Sequence, residues 1–279
     1  MTHKQMPTPD FAGLWLPLIT PFQHGDVDHP ALAQLVKHYG RCGIAGFVAC
    51  GSTGEAASLS ESEQMAVLKT ILQAADGLPV IMGLSGYHLP QALDGVRTRG
   101  QFPLAGLLIP APPYIRPSQS GLLHWFSALA DASAAPLLIY DIPYRTGVHL
   151  QLETLLALAD HPNIVAIKDC GADAAKTQAL ISDGRLQVLA GDDAQLFTTV
   201  ALGGAGAIAA AAHMHTEAFA QVIAHLRQGE LLAARALWKP LPAHISAMFA
   251  QPNPVCIKAA LARQGRIGNE LRPPMMAAL

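Results

Sequence analysis

Eight times along this chain a short, continuously apolar run gives way to a stretch with helical spacing. The apolar runs are Leu14–Ile19, Gly46–Cys50, Pro79–Leu84, Ala105–Pro110, Pro136–Ile142, Ile164–Lys168, Leu186–Ala190 and Ala205–Ala209. Between them lie predicted helices over His29–Cys42, from Ser60 onward, and over Leu89–Arg99, Ser118–Ala130, Leu150–Ala159, Ala172–Ile181 and Ala194–Leu202. Leu32, Leu35, Val36 and Tyr39 mark one face of the first helix, and Ser60 with Glu63 forms a capping box at the start of the second. Everything after about Thr216 reads as helical. Runs that are apolar throughout, rather than alternating, belong to parallel strands covered on both faces. Eight such strands, each followed by a helix, predict an α/β protein with a (β/α)8 barrel and a C-terminal helical extension. The expected division is barrel over 1–215 and extension of the same unit over 216–279. A doubly wound sheet is the rival, but the first run ends in Thr20-Pro21-Phe22 with no glycine-rich phosphate loop.

Composition narrows the function classes. Hydrophobic residues make up 51% of the 279 positions and charged residues only 14%, against about 25% in an ordinary soluble domain. So little charge predicts surface buried against a partner, with a second copy of the chain the expected one. The formal net charge of −2 gives no basic excess for a phosphate backbone, so nucleic acid is not an expected partner. The first residues, MTHKQMPTPDF, lack the apolar core of a secretory leader, and Ala205–Ala212 is too short to cross a bilayer. Cys42, Cys50, Cys170 and Cys256 show no metal-binding spacing and suit a reducing compartment, so the expected location is the cytoplasm. No histidine cluster suggests a metal, and no nucleotide fingerprint is present.

A barrel places its chemistry at the C-terminal ends of its strands. Lys168, one of seven lysines, ends the run Ile164–Ile167. In an apolar mouth its charged form is disfavoured, leaving the neutral amine that attacks a carbonyl. The plainer reading is an ion pair with Asp169 or Asp192. Tyr140 ends the preceding run, where it can relay protons to a carbinolamine or simply pack as a core aromatic. Gly51-Ser52-Thr53-Gly54-Glu55 is a loop whose backbone N–H groups can face a carboxylate or phosphate, or an ordinary strand-to-helix turn. Arg145, in the loop after Tyr140, is either a bidentate carboxylate clamp or a solvated arginine.

Taken in order, Gly51–Glu55 (GSTGE), Tyr140–Gly147 (YDIPYRTG), Ile167–Asp169 (IKD), Ala190–Asp193 (AGDD) and Gln251–Pro254 (QPNP) resemble the dihydrodipicolinate synthase and N-acetylneuraminate lyase family of pyruvate-dependent class I aldolases. The likeness runs from about Leu14 to about Ala262. It is strongest to the synthase branch, through Arg145 and the stretch Ile115-Arg116-Pro117-Ser118-Gln119. The resemblance implies a lyase of lysine biosynthesis that needs no cofactor. Lys168 would form a covalent imine with pyruvate, which then condenses with L-aspartate semialdehyde. It further implies a proton relay of Tyr140, Ser52 and Tyr114, with Tyr114 reaching the site of a neighbouring subunit. Thr53, with Ser52, would hold the pyruvate carboxylate, Arg145 the semialdehyde carboxylate, and Gly191 and Ile208 would line the pocket. The assembly it implies is a homo-oligomer, a dimer or a tetramer of two dimers. The alternative function is another pyruvate aldolase, acting on a 2-keto-3-deoxy sugar acid or a related hydroxy-keto acid; a non-catalytic keto-acid sensor is a third.

Three positions depart from the synthase pattern. Ser52 stands where threonine is usual, Pro113 where a second tyrosine precedes Tyr114, and Asp141 where asparagine is usual. Asp141 could raise the Tyr140 pKa or hold Lys168 charged, and the sequence does not choose between these. Tyr87, Gln91 and Pro113 occupy the positions that bind inhibitory lysine in sensitive members, and without their usual carboxylate and tyrosine the chain is expected to be insensitive.

Overall fold

A computed structural model describes residues 9–278; the reading of the leader region over residues 1–8 lies outside them. Eight parallel strands close into a barrel: β1 (Gly13–Pro17), β2 (Gly46–Ala49), β3 (Val80–Gly83), β4 (Gly106–Pro110), β5 (Leu137–Asp141), β6 (Ile164–Asp169), β7 (Gln187–Ala190) and β8 (Gly206–Ile208). Each pairs with its chain neighbours, and β8 returns to β1 with Leu14 opposite Ala207. The backbones meet so closely there that a Cβ on Gly206 would collide with the Gly13 carbonyl oxygen. A small hairpin, Phe22–Gln23 against Asp26–Val27, follows β1.

Besides the single turn Pro143–Thr146, seven helices lie between the strands on the barrel's outside: α1 (His29–Tyr39), α2 (Glu61–Ala74), α3 (Leu89–Arg99), α4 (Gln119–Ala132), α5 (Leu152–Leu158), α6 (Ala174–Asp183) and α7 (Leu196–Ala201); α8 (Thr216–Arg227) follows β8 and packs on β1 and α7. Their starts follow local chemistry. Asp28, Ser118 and Asp173 accept backbone N–H groups in the first turns of α1, α4 and α6, and the Ser60–Glu63 capping box is formed in both directions.

Two apolar layers result. One fills the space between strands and helices; the other fills the barrel itself, with Trp15, Val48, Ile81, Leu108, Leu138 and Leu189 among its residues. Phe11 plugs the N-terminal end of the barrel. Its N–H donates to the Gln187 side chain at 2.8 Å, and the Trp15 indole donates to its carbonyl at 2.9 Å.

Two segments differ from the sequence reading. The run Ala194–Leu202 is not one helix: Asp193–Gln195 forms a 3-10 turn before α7, because Asp193 turns inward to accept the N–H groups of Ala210 and Ala211. The end of the chain is not helical throughout either. After α9 (Leu231–Trp238), α10 (Leu241–Met248) and α11 (Val255–Arg263), residues 264–278 run as an irregular strap. Pro273 and Pro274 supply no N–H to continue a helix, and Arg272 ties the strap down by ion-pairing with Glu63 at 2.5 Å and donating to the Ser58 and Gly25 carbonyls.

This extension roofs the barrel mouth. α10 packs on the turns after β7 and β8. Lys258 on α11 is buried and pairs at 2.5 Å with Glu55, in the loop after β2. No helix among the described residues is long and apolar enough to cross a membrane.

Candidate active site

Tyr140 and Lys168 end neighbouring strands and stand opposite each other in register. Both side chains point into the barrel, because alternate residues of a strand face opposite sides. The Lys168 ammonium nitrogen sits 4.4 Å from the centre of the Tyr140 ring. Lys168 is 6% exposed, and among the described residues no carboxylate lies within 4 Å of it, so the ion-pair reading does not describe this lysine. Burial holds its pKa below the ordinary lysine value; Cys170 and Asp193 act in the opposite direction. Burial likewise drives the Tyr140 pKa above its ordinary value, opposed in part by the Ser52 hydroxyl beside it. An amine whose charge burial disfavours therefore faces a phenol whose proton burial holds.

The GSTGE loop brings in the hydroxyls. Cys50, at the end of β2, and Glu55 both adopt left-handed backbone angles, φ 51° and 52°, which fold the intervening residues tightly over the mouth. Thr53 is buried and accepts a hydrogen bond from the Asn253 side-chain amide at 2.9 Å, leaving its own hydroxyl proton free to donate. Thr20 donates to the Gly54 carbonyl at 2.7 Å and fixes the loop from below.

Two cavities meet at this point. One of 390 Å³ is bounded by Ser52, Tyr140, Pro113 and, from the strap, Pro274 and Met275. The other, open and about 1080 Å³, is bounded by Cys170, Gly191, Asp192, Asp193 and His149. Arg145 and Asn253 line both. Arg145 is exposed, and its guanidinium lies 5.4 Å from the Tyr144 ring, which sets its direction across the mouth. Gly191 lies against Lys168: a Cβ there would stand 2.7 Å from Lys168 Cγ and 2.5 Å from Cys170 Sγ.

Lys168, Tyr140, Ser52, Thr53, Arg145 and Gly191 are thus gathered at one end of the barrel. Ile208 is fully buried in the barrel interior, in the same cluster as Tyr140. Tyr114 stands apart, 91% exposed on the loop after β4 and in a left-handed conformation, φ 75°. The open question over Asp141 also closes. Its carboxylate turns to the outer face of β5 and meets Lys176 of α6 at 2.6 Å, acting on neither Tyr140 nor Lys168.

Asp193 and Asn253 belong to the site although the sequence assigned them no role. Both sit in quoted motifs, AGDD and QPNP, but only the fold shows what they face. Asp193 is buried, accepts N–H groups at 3.2 and 2.5 Å, and is pushed up to about 6 by burial. Among the described residues no three His, Cys, Asp or Glu side chains are grouped to hold a metal ion.

A closed (β/α)8 barrel with a desolvated lysine beside a tyrosine at adjacent strand ends is the architecture of an imine-forming class I aldolase. Known proteins narrow the class. The model of the dihydrodipicolinate synthetase family matches residues 10–278, and the chain belongs to that family. The 4-hydroxy-tetrahydrodipicolinate synthase 2 of Clostridium acetobutylicum is 33% identical over 268 residues, covering 95% of this chain and 94% of its own. The 4-hydroxy-tetrahydrodipicolinate synthase of Limosilactobacillus fermentum is 37% identical over 271 residues, covering 95% and 86%. Among solved structures, the chloride-inhibited dihydrodipicolinate synthase of Acinetobacter baumannii, complexed with pyruvate, superposes with a TM-score of 0.93 at 32% identity, covering 96% of this chain and 94% of that one.

Proposed function

We propose that the chain condenses pyruvate with L-aspartate semialdehyde to 4-hydroxy-tetrahydrodipicolinate through an imine on Lys168. The observation that carries this reading is the buried Lys168 amine, with no carboxylate within 4 Å among the described residues and poised over Tyr140. The neutral amine adds to the pyruvate carbonyl, and water leaves as the imine forms. Loss of a proton from the pyruvate methyl gives an enamine, whose carbon attacks the aldehyde. The product is a cyclic imine, so its carbon–nitrogen bond must pass from Lys168 to the semialdehyde's own amine, which frees the lysine. Tyr140 and Ser52 are suited to carry the protons these steps move. The GSTGE loop, through Ser52 and Thr53, suits the pyruvate carboxylate, and Arg145, reaching across both cavities, suits the carboxylate of the second substrate.

Tyr114 fits the remaining place in the relay only from another copy of the chain. Its exposed ring and constrained backbone suit insertion into a neighbour's mouth, which makes the working form a homo-oligomer, a dimer or a tetramer. The four unpaired cysteines suit a reducing compartment, the cytoplasm.

The test is borohydride reduction in the presence of pyruvate. A covalent adduct on the peptide bearing Lys168 is expected; an unmodified protein by mass spectrometry sinks the reading. Arg145→Ala should then lower turnover of aspartate semialdehyde far more than pyruvate trapping. Equal turnover by Arg145→Ala and wild type would move the substrate assignment to another aldehyde.

A further inference from the structure

One step beyond the catalytic pair, Asp141 and Asp169 also stand opposite each other in register, on the outer face of β5 and β6. Both are buried, at 1% and 7% exposure. A Cβ built on Gly171 would lie 3.0 Å from Asp141 Oδ2, 3.0 Å from Asp169 Oδ1 and 2.8 Å from Lys176 Nζ. Two carboxylates and one ammonium therefore converge behind Tyr140 and Lys168, with the carboxylate oxygens no more than about 6 Å apart. Lys176 bonds Asp141 at 2.6 Å and the Leu150 carbonyl at 3.2 Å. Asp169 is held by Thr177 at 2.5 Å and by the Gly171 N–H at 2.8 Å. Lys176 thus pairs with Asp141 and faces Asp169 from beyond 4 Å, in a region shielded from water.

We propose that Lys176 is a positioning residue for the reaction: by neutralising Asp141 where it faces Asp169, it holds the ends of β5 and β6 together and sets the approach of Tyr140 to Lys168. The inference rests on Lys168 being the imine-forming lysine. Without the ammonium, two buried like charges face each other across the strand pair, and the strands relieve them by separating or by taking up a proton. Because Tyr140 and Lys168 are the next residues inward, any separation is passed directly to the site, where a displacement of about 1 Å can cost about a hundredfold in rate.

The direction with pH follows. Burial already raises the Asp141 pKa, the neighbouring Asp169 adds to the rise, and Lys176 opposes it. The other groups around the cluster are Asp173 of α6, and His149 and Glu153 from the segment before and within α5. Removing Lys176 raises the Asp141 pKa further, so the strands are relaxed at low pH and strained at high pH.

The experiment compares wild type, Lys176→Met, Asp141→Asn and the Lys176→Met/Asp141→Asn double variant from pH 6 to pH 9. The readouts are pyruvate trapping rate, kcat and KM, with folding followed by circular dichroism. Each rate is taken as a ratio to wild type at the same pH, which cancels the titration of Lys168 itself. Lys176→Met is expected to lose about tenfold or more in kcat at high pH and to recover as pH falls, with KM for pyruvate little changed. Asp141→Asn and the double variant, which keep one carboxylate rather than two uncompensated ones, are expected to stay within about threefold of wild type with a flat ratio. If Lys176→Met does not fold, a folded and active double variant carries the same conclusion. A flat, wild-type ratio for Lys176→Met, or a double variant as impaired as the single, overturns the proposal. Failure of wild type to trap pyruvate overturns the imine reading instead.

Discussion

Gly191 offers the sharpest test of how tightly the site is built. An alanine Cβ there would stand 2.5 Å from Cys170 Sγ, 2.7 Å from Lys168 Cγ and 3.0 Å from the Asp169 carbonyl oxygen. Carbon atoms in favourable contact sit about 3.5–4.0 Å apart, so the methyl group overlaps its neighbours by about an ångström. The Asp169 carbonyl cannot retreat, because it accepts the Gly191 N–H at 2.8 Å in the ladder between β6 and β7. Lys168 must therefore move, and its stem carries the amine with it. Overpacking of this kind costs about 1–3 kcal/mol of stability. A displacement of about 1 Å at the reacting nitrogen costs about a hundredfold in rate. Gly191→Ala should thus remain folded, melt a few degrees lower, and trap pyruvate under borohydride about a hundred times more slowly. Combining it with Cys170→Ala removes the nearest contact and should restore part of the rate. Trapping by Gly191→Ala at the wild-type rate would show that the close approach does not hold Lys168 in place.

Three other outcomes are expected. His213 is buried, accepts the Ile19 N–H and has its pKa lowered to about 4 by burial. The unfolded chain protonates it near 6.5 while the fold does not, so its contribution, about 3 kcal/mol, is present above pH 6.5 and lost as pH falls towards 4. In His213→Gln, urea unfolding should lose that part of its pH dependence, and an unchanged slope would refute the assignment. Ser60→Ala removes one half of the capping box and should cost about 1 kcal/mol in thermal unfolding, whereas a melting temperature equal to wild type would mean the cap is dispensable. With Tyr87, Gln91 and Pro113 at the positions that the family resemblance matches to the lysine-binding residues of sensitive members, free lysine below a millimolar should leave steady-state turnover unchanged, and inhibition in that range would overturn the reading.

The barrel was legible because its pattern is local and repeated. A parallel strand covered on both faces must be apolar throughout, so β5 and β6 announced themselves as PLLIYDI and IVAIK, and the polar residues ending them had to lie at the mouth. Tyr140 and Lys168 are those residues. Ends of elements were less legible where a distant group decides them: Asp193 shortens a predicted helix because amides after β8 draw its carboxylate inward. Asn253 was quoted within a motif but given no role, since its partner, Thr53, is 200 residues away.

The sequence by itself determined the fold class and the family and singled out Lys168 as the candidate lysine, because strand burial and short motifs are written in neighbouring residues. Only the tertiary structure decided the direction each side chain takes. Asp141 follows Tyr140 directly, yet it serves Lys176 on the opposite face of the strand. Ile208 is buried in the barrel among the residues that pack with Tyr140, and Tyr114 stands exposed on the loop after β4. The strap, through Pro274 and Met275, forms part of a cavity whose other walls include the loop after β2 and the ends of β3, β4 and β5. A residue's type limits its chemistry, but pleat, register and the return of distant segments settle which partner it meets.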